Sequence, residues 1–360
     1  MTEPAEVDGP APMEGHGAYN RSSRVQAAGS SAAVPLLEKA AWKVPLPTAS
    51  EPVVVADYGS SEGHNSLVPL SVAIGILRER IGQERAISAV HTDLPGNDFA
   101  ALFQVLASDP DSYLRDDSRV FPSAIGRSFY EQIMPDSSVT LGWSSWAVQW
   151  LSRVPALIPD QVQVACSRDA ATRAVFSIQA ARDWQLFLTR RAAELRPGGQ
   201  LVILTMAVDD HGDFGYRASV DAIYGGLTDL VEEGVMNAAE MHRMVIPTFG
   251  RSRRDFMAPF AATGGFAGLA MQDLEIFYGE DRIWEEFKGH GDAASYGARW
   301  AAFSRASVGP TLAAGLDNCV VRASDFLERL ERKMVARLAA APERTLIPLA
   351  KMVLVKVCPA

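Results

Sequence analysis

The chain has 360 residues, 48% of them hydrophobic and 21% charged, with a formal net charge of −9; such a chain can bury one large core. The acidic balance, with no basic tract, argues against a nucleic-acid partner, and no apolar run reaches the roughly 18–20 residues that span a bilayer. Three scattered cysteines without metal-ligand spacing, and an acidic, Pro-rich opening (MTEPAEVDGPAPMEGHG) unlike a signal peptide, make a reduced, cytoplasmic protein the expectation.

Residues 1–15 have too little apolar surface to offset ordering entropy and are expected to be a disordered tail. The stretch 19–41 becomes helical towards its end. A strand is expected at 53–57, a helix at 67–80, a second strand at 86–92 and a helix at 99–106. A further strand follows at 139–143. Helical spacing over 168–195 puts Val175, Ile178, Trp184, Phe187 and Leu188 on or near one face, and Arg-Pro-Gly-Gly at 196–199 ends that helix. Residues 201–206 (LVILTM) read as a buried strand. Short helices are expected at 223–233 and 238–244, a late strand at 271–278, helices at 293–308 and 323–338, and a last strand at 346–357. Strands alternating with helices make a mostly parallel sheet covered on both faces.

Val53–Leu67, VVVADYGSSEGHNSL, is the most informative segment. A β-branched run meets an acidic residue, a loop of small residues and then a helix. Open α/β sheets present the end of a strand to a nucleoside ligand in this way. The loop lacks the full G-x-G-x-x-G spacing, which disfavours a dinucleotide. An acidic residue two before the first Gly suits S-adenosylmethionine (SAM), whose amino group is cationic. By itself the segment is also compatible with a buried strand and an ordinary βα turn.

Three further segments accompany it: Gly17–Gln26 (GAYNRSSRVQ), His91–Phe99 (HTDLPGNDF) and Ser128–Pro155 (SFYEQIMPDSSVTLGWSSWAVQWLSRVP). With Ile246–Ser252 (IPTFGRS) and Arg305–Leu312 (RASVGPTL), this ordered set resembles the SABATH family of SAM-dependent carboxyl methyltransferases from about Gly15 to the C-terminus. Abundant Ala and more Arg than Lys suggest a GC-rich bacterial source, such as that of a fatty-acid O-methyltransferase. The resemblance implies a Rossmann-like class I methyltransferase sheet with a helical cap over the active site. It divides the chain into the tail (1–15), a SAM-binding core with an N-terminal substrate-gating segment (16–206), a mainly helical cap holding the late strand (207–340), and a C-terminal core strand (341–360). Family members are often dimers, so a homodimer is expected.

The resemblance also implies site residues. Tyr19 and Ser23 match residues at the methionine moiety of SAM, and Ser60 and Asn65 match cofactor-contacting positions in the first loop. Asp57 faces the amino-acid part, and Asp93 accepts hydrogen bonds from the ribose hydroxyls, as an ionised carboxylate can. Either Asp is equally readable as a helix N-cap or turn residue on its own. Leu94 matches the residue packing on adenine, with Ser128 and Phe129 at the adenine edge.

Gln26 and Trp150 match the anchors of the substrate carboxylate. Both offer neutral N–H donors, which position an oxyanion without neutralising it. Taken singly, Trp150 reads as a large core residue and Gln26 as a solvated helix position. Trp146, Gln149, Phe249, Ser304 and Leu346 match the pocket for the rest of a small carboxylic acid. Salicylate-selective members carry methionines at the positions of Gln149 and Ser304, so salicylate is not expected here. An aliphatic Leu346 in place of an aromatic residue tilts the expectation to a fatty acid, with aromatic or indolic acids next. Methylation at nitrogen or a hydroxyl would want a base, and no His or Lys is evidently placed for one; a non-catalytic SAM-binding protein is the remaining alternative. The six histidines form no convincing metal motif, Asp209–Asp210–His211 reads as a solvated turn, and no metal is expected.

Overall fold

A computed structural model describes residues 11, 13, 29–115 and 117–358. Among them, Val53–Tyr58 (β1), Ile87–Asp93 (β2), Val120–Gly126 (β3), Val139–Ser145 (β4) and Leu195–Met206 (β5) form parallel neighbours in the order β3-β2-β1-β4-β5. Pro348–Lys356 (β8) then pairs antiparallel with β5, and Leu269–Tyr278 (β7) antiparallel with β8; Gly265–Phe266 (β6) closes the far edge. The β-branched runs of β1, β4 and β5 are buried almost throughout, as strands covered on both faces must be.

Helices Val34–Lys43 (α1), His64–Ile81 (α2), Phe99–Ser108 (α3) and Ala170–Glu194 (α4) alternate with the parallel strands, except that β4 follows β3 directly. After β5 come Arg217–Glu232 (α5), Ala238–Arg243 (α6) and Arg253–Met257 (α7), and after β7 come Arg282–His290 (α8), Ala293–Ala313 (α9) and Cys319–Ala340 (α10). The long α9 and α10 pack on each other and α10 on α5. The chain places β1, β2 and β3 outward in one direction, then returns to lay β4 against the other side of β1. This reversal opens a crevice beyond the carboxyl ends of β1 and β4, where such sheets bind ligands. The expected α/β class is therefore observed.

Some expectations need correction. The edge strand β3 was not anticipated, because Pro122 interrupts its run and its side chains are largely solvated; proline is tolerated at a sheet edge, where one side has no ladder to satisfy. Helices α7 and α8 and strand β6 also fell outside the sequence reading. In α4, Trp184, Phe187 and Leu188 are buried as expected, but Val175 and Ile178 are 40% and 53% exposed. Polar Gln179, Asp183, Arg191 and Glu194 occupy the inward face instead.

Candidate active site

The carboxyl ends of β1, β2 and β4 place Asp57, Asp93 and the segment 146–150 at one edge of the sheet. Gly59 begins the loop after β1 with φ +89°, and a Cβ there would lie 2.4 Å from the Cβ of Ala147. Only glycine fits that crossing of two loops. The loop then brings the Ser61 N–H to Oδ2 of Asp93 at 2.7 Å, while the Leu94 N–H donates to Oδ1 at 2.8 Å. Each oxygen retains acceptor capacity for a hydroxyl donor. Burial pushes the Asp93 carboxyl up to about 6, against the opposing pull of these two N–H groups.

The Oγ atoms of Ser60 and Ser61 are buried without a hydrogen-bond partner among the described residues. Orphaned polar atoms in a loop beside a carboxylate fit a polar ligand held there. Asn65 stands in the first turn of α2, next to the same loop. These residues suit the ribose and amino-acid parts of SAM.

Asp57 also has partners within the protein. Its Oδ2 accepts from Nδ1 of His91 at 2.9 Å, and Nε2 of His91 pairs with the Tyr113 hydroxyl at 2.7 Å. All three side chains are buried, and burial pushes the Tyr113 phenol up, which keeps it a donor. Asp57 is thus first a member of an internal hydrogen-bonded chain. Neither His91 nor Tyr113 was singled out for this from sequence; they meet across 22 positions, which no local pattern reveals.

Ser128 and Phe129 follow β3. Phe129 packs edge-on to Phe187 with centroids 5.9 Å apart. The segment is pinned from beneath by Arg191 and Glu194 of α4. Arg191 donates to the carbonyls of Phe129 and Glu131 at 2.7 and 2.9 Å, and Glu194 accepts from the Ile133 and Met134 N–H groups and the Tyr58 hydroxyl. Two bonds, of 2.7 and 2.8 Å, join the pair to each other.

Next to this edge lies a cavity of about 650 Å³, mouth included. Trp146, Gln149 and Trp150 form one side. Met206, Phe214, Tyr216, Val220, Ile223, Ile246, Phe303 and Val308 form most of the rest, with Gln163, Thr248, Ser219, Ser304 and Ser307 as the polar members. Trp150 is held through its backbone: its N–H donates to Ala147 O at 3.0 Å, its carbonyl accepts from the Tyr130 hydroxyl at 2.5 Å, and it bridges to Thr248. Buried Arg251 ties the neighbouring Val148 carbonyl at 2.6 Å. Among the described residues no hydrogen bond engages the indole N–H of Trp150. The Gln149 amide, by contrast, is bonded at both ends, to Trp146 O and the Thr205 hydroxyl, so it shapes the wall more than it offers a donor.

Trp146, Gln149, Trp150 and Ser304 therefore meet in one cavity, contributed by the loop after β4 and by α9. Two expected pocket residues lie elsewhere than in this wall. Phe249 packs with Leu151, Val164 and Phe176 in a separate cluster, and its neighbour Thr248 lines the cavity instead. Leu346 is 45% exposed and is not part of the wall. Tyr19, Ser23 and Gln26 lie outside the described residues, as does the tail 1–15 apart from Ala11 and Met13, of which Met13 lies against the cavity. The sequence reading missed Phe214, Tyr216 and Phe303; the two aromatics just ahead of α5 were the available signal. Asp209 forms a surface turn, accepting from the His211 and Asp213 N–H groups. Among the described residues no group of three or more His, Cys, Asp or Glu could hold a metal ion, and no helix is long and apolar enough to cross a membrane.

Residues 11–355 match the family described as SAM dependent carboxyl methyltransferase, and the chain belongs to that family. The methyltransferase LUC1 of Fusarium sp is 31% identical over 249 residues, 68% of this chain; the chain spans 65% of that relative's length. Gibberellic acid methyltransferase 2 of Arabidopsis thaliana is 25% identical over 320 residues, 83% of this chain and 82% of the relative. A loganic acid methyltransferase solved with SAH shares the fold, with a TM-score of 0.77 at 19% identity over 96% of this chain and 99% of the other. The SABATH resemblance read from the motifs is thereby borne out, and SAM is the family's cofactor.

Proposed function

We propose that the protein transfers the methyl group of SAM to the carboxylate of a small hydrophobic acid, a fatty acid foremost, giving a methyl ester and S-adenosylhomocysteine. The cavity wall carries this reading. Its described side chains are aromatic, aliphatic or neutral polar, with no Asp, Glu, His, Lys or Arg among them. Such a wall offers no base to take a proton from an alcohol or amine. A carboxylic acid needs none, since it ionises at about pH 4–5. Beside its five aromatic members the wall has four aliphatic ones, Val220, Ile223, Ile246 and Val308, which give an alkyl chain a surface to lie on.

SAM, when bound, supplies an electrophilic methyl carbon on a sulfonium. With it bound, a carboxylate oxygen would form the new C–O bond as the S–C bond breaks, the electron pair going to sulfur, and no proton would have to move. The residues have to exclude water and hold that oxygen about 3 Å from the carbon, in line. We assign this to the Trp150 indole N–H and the Gln26 amide; neutral donors orient the acid without over-stabilising it before reaction. Asp93 takes the ribose, Asp57, Ser60, Asn65, Tyr19 and Ser23 the methionine end, and Leu94, Ser128 and Phe129 the adenine. The helices of 207–340 act as a cap that closes the acid off from water.

Methyl-labelled SAM offered with separate panels of fatty, benzoic and indolic acids, amines and alcohols tests the proposal. Label in base-labile esters, greatest with fatty acids, is expected. Transfer only to amines or hydroxyls, or tight cofactor binding with no turnover on any acid, would overturn it.

A further inference from the structure

Behind the cavity is a second, much tighter hollow, of about 220 Å³ once the gaps between its wall atoms and its opening to solvent are included. Ile223 of α5 and Ser304 and Val308 of α9 belong to both walls, so the hollow and the cavity adjoin at these side chains. Its own wall is aliphatic: Gly309 and Leu312 of α9, and Leu327, Leu330 and Met334 of α10. Arg305 and Glu331, paired at 2.8 Å, complete it. The one hydroxyl at the passage, on Ser304, donates to Trp300 O at 2.9 Å, so it presents no unsatisfied proton to an apolar guest.

The shape of the hollow has identifiable causes. Gly309 keeps its side free of any side chain; a Cβ there would lie 2.9 Å from Cδ2 of Leu327. Met334, unbranched and adaptable, forms part of the opposite side. A rigid ring bound beside Trp150 has nothing to extend through the passage. A flexible alkyl chain does, and each methylene that leaves water for such a wall strengthens binding by roughly fourfold.

We infer that the hollow receives the far end of the acceptor acid, that the acid is a straight-chain one long enough to pass Ser304, and that Gly309 and Met334 set the accepted length. This rests on the carboxyl-methylation reading above. The test compares kcat/KM for saturated acids from hexanoate to hexadecanoate, with benzoate alongside, in the native protein, Gly309→Leu and Met334→Ala. In the native protein kcat/KM rises along the series to an optimum. Gly309→Leu lowers the ratio of long-acid to short-acid kcat/KM at least tenfold and moves the optimum to shorter acids. Met334→Ala, which removes volume, moves it to longer ones and reports independently if the leucine variant fails to fold. Methyl esters formed with the same length profile in all three proteins would overturn this inference and leave the carboxyl reading standing. No ester from any acid, benzoate and hexanoate included, would remove both.

Discussion

Asp93 meets two opposing demands. In its proposed role it is ionised to accept from ribose hydroxyls, yet burial raises its carboxyl to about 6. The N–H groups of Ser61 and Leu94 offset part of that cost and aim the two oxygens. On that proposal the ligand selects the ionised form, so cofactor affinity should fall on acidification, by up to about tenfold per pH unit below about pH 6, and be flat above about pH 7. Calorimetric dissociation constants for S-adenosylhomocysteine across that range check this, and a profile flat down to pH 5 would show that Asp93 does not bear on the ligand. At this scale a residue type, a strand end and a motif coincide at Asp93 and Trp150, which made both legible as candidates. The sequence was silent where the partner is remote: nothing near His91 announces Tyr113 or its grip on Asp57.

Helix α4 shows what an element can hide. Apolar periodicity identified it and its stopping point, but assigned Val175 and Ile178 to the inside, where Arg191 and Glu194 are found. Those two charges are buried because each satisfies the other and because together they hold five groups on other elements: the hydroxyl of Tyr58, the carbonyls of Phe129 and Glu131, and the N–H groups of Ile133 and Met134. Removing one partner leaves a buried charge uncompensated, which costs about 3–5 kcal/mol. Glu194→Gln should lower stability by about 3 kcal/mol in urea unfolding and also weaken cofactor binding, since the segment carrying Ser128 and Phe129 loses its anchor. Unchanged unfolding with unchanged binding would mean the pair anchors nothing. Strand β3 was hidden for the opposite reason: its Pro122 and solvated faces erase the alternation that marks a strand, and an edge position makes both tolerable.

In the whole molecule, the sheet sets the carboxylates of β1 and β2 beside the loop after β4, and the helices that follow β5 and β7 bring an apolar wall to that loop. The alternation of strands and helices was legible along the chain, since each element carries its own period. The wall was only partly so, because Phe214, Tyr216, Ile223 and Phe303 come from separate segments whose apolar faces look like ordinary core until they are assembled. Leu346, legible as a matched position, turned outward to solvent. The division of labour between the two halves of the site is most directly tested by Trp150→Phe, which keeps the ring's bulk and deletes one N–H. Single-turnover rates with a fatty acid, measured alongside the dissociation constant of S-adenosylhomocysteine, should show methyl transfer slowed by about 10–100-fold, on the scale of one lost charge-assisted hydrogen bond, and cofactor affinity changed less than about twofold. Equal losses in both, or an unaltered rate of ester formation, would contradict the placement of the acid against Trp150.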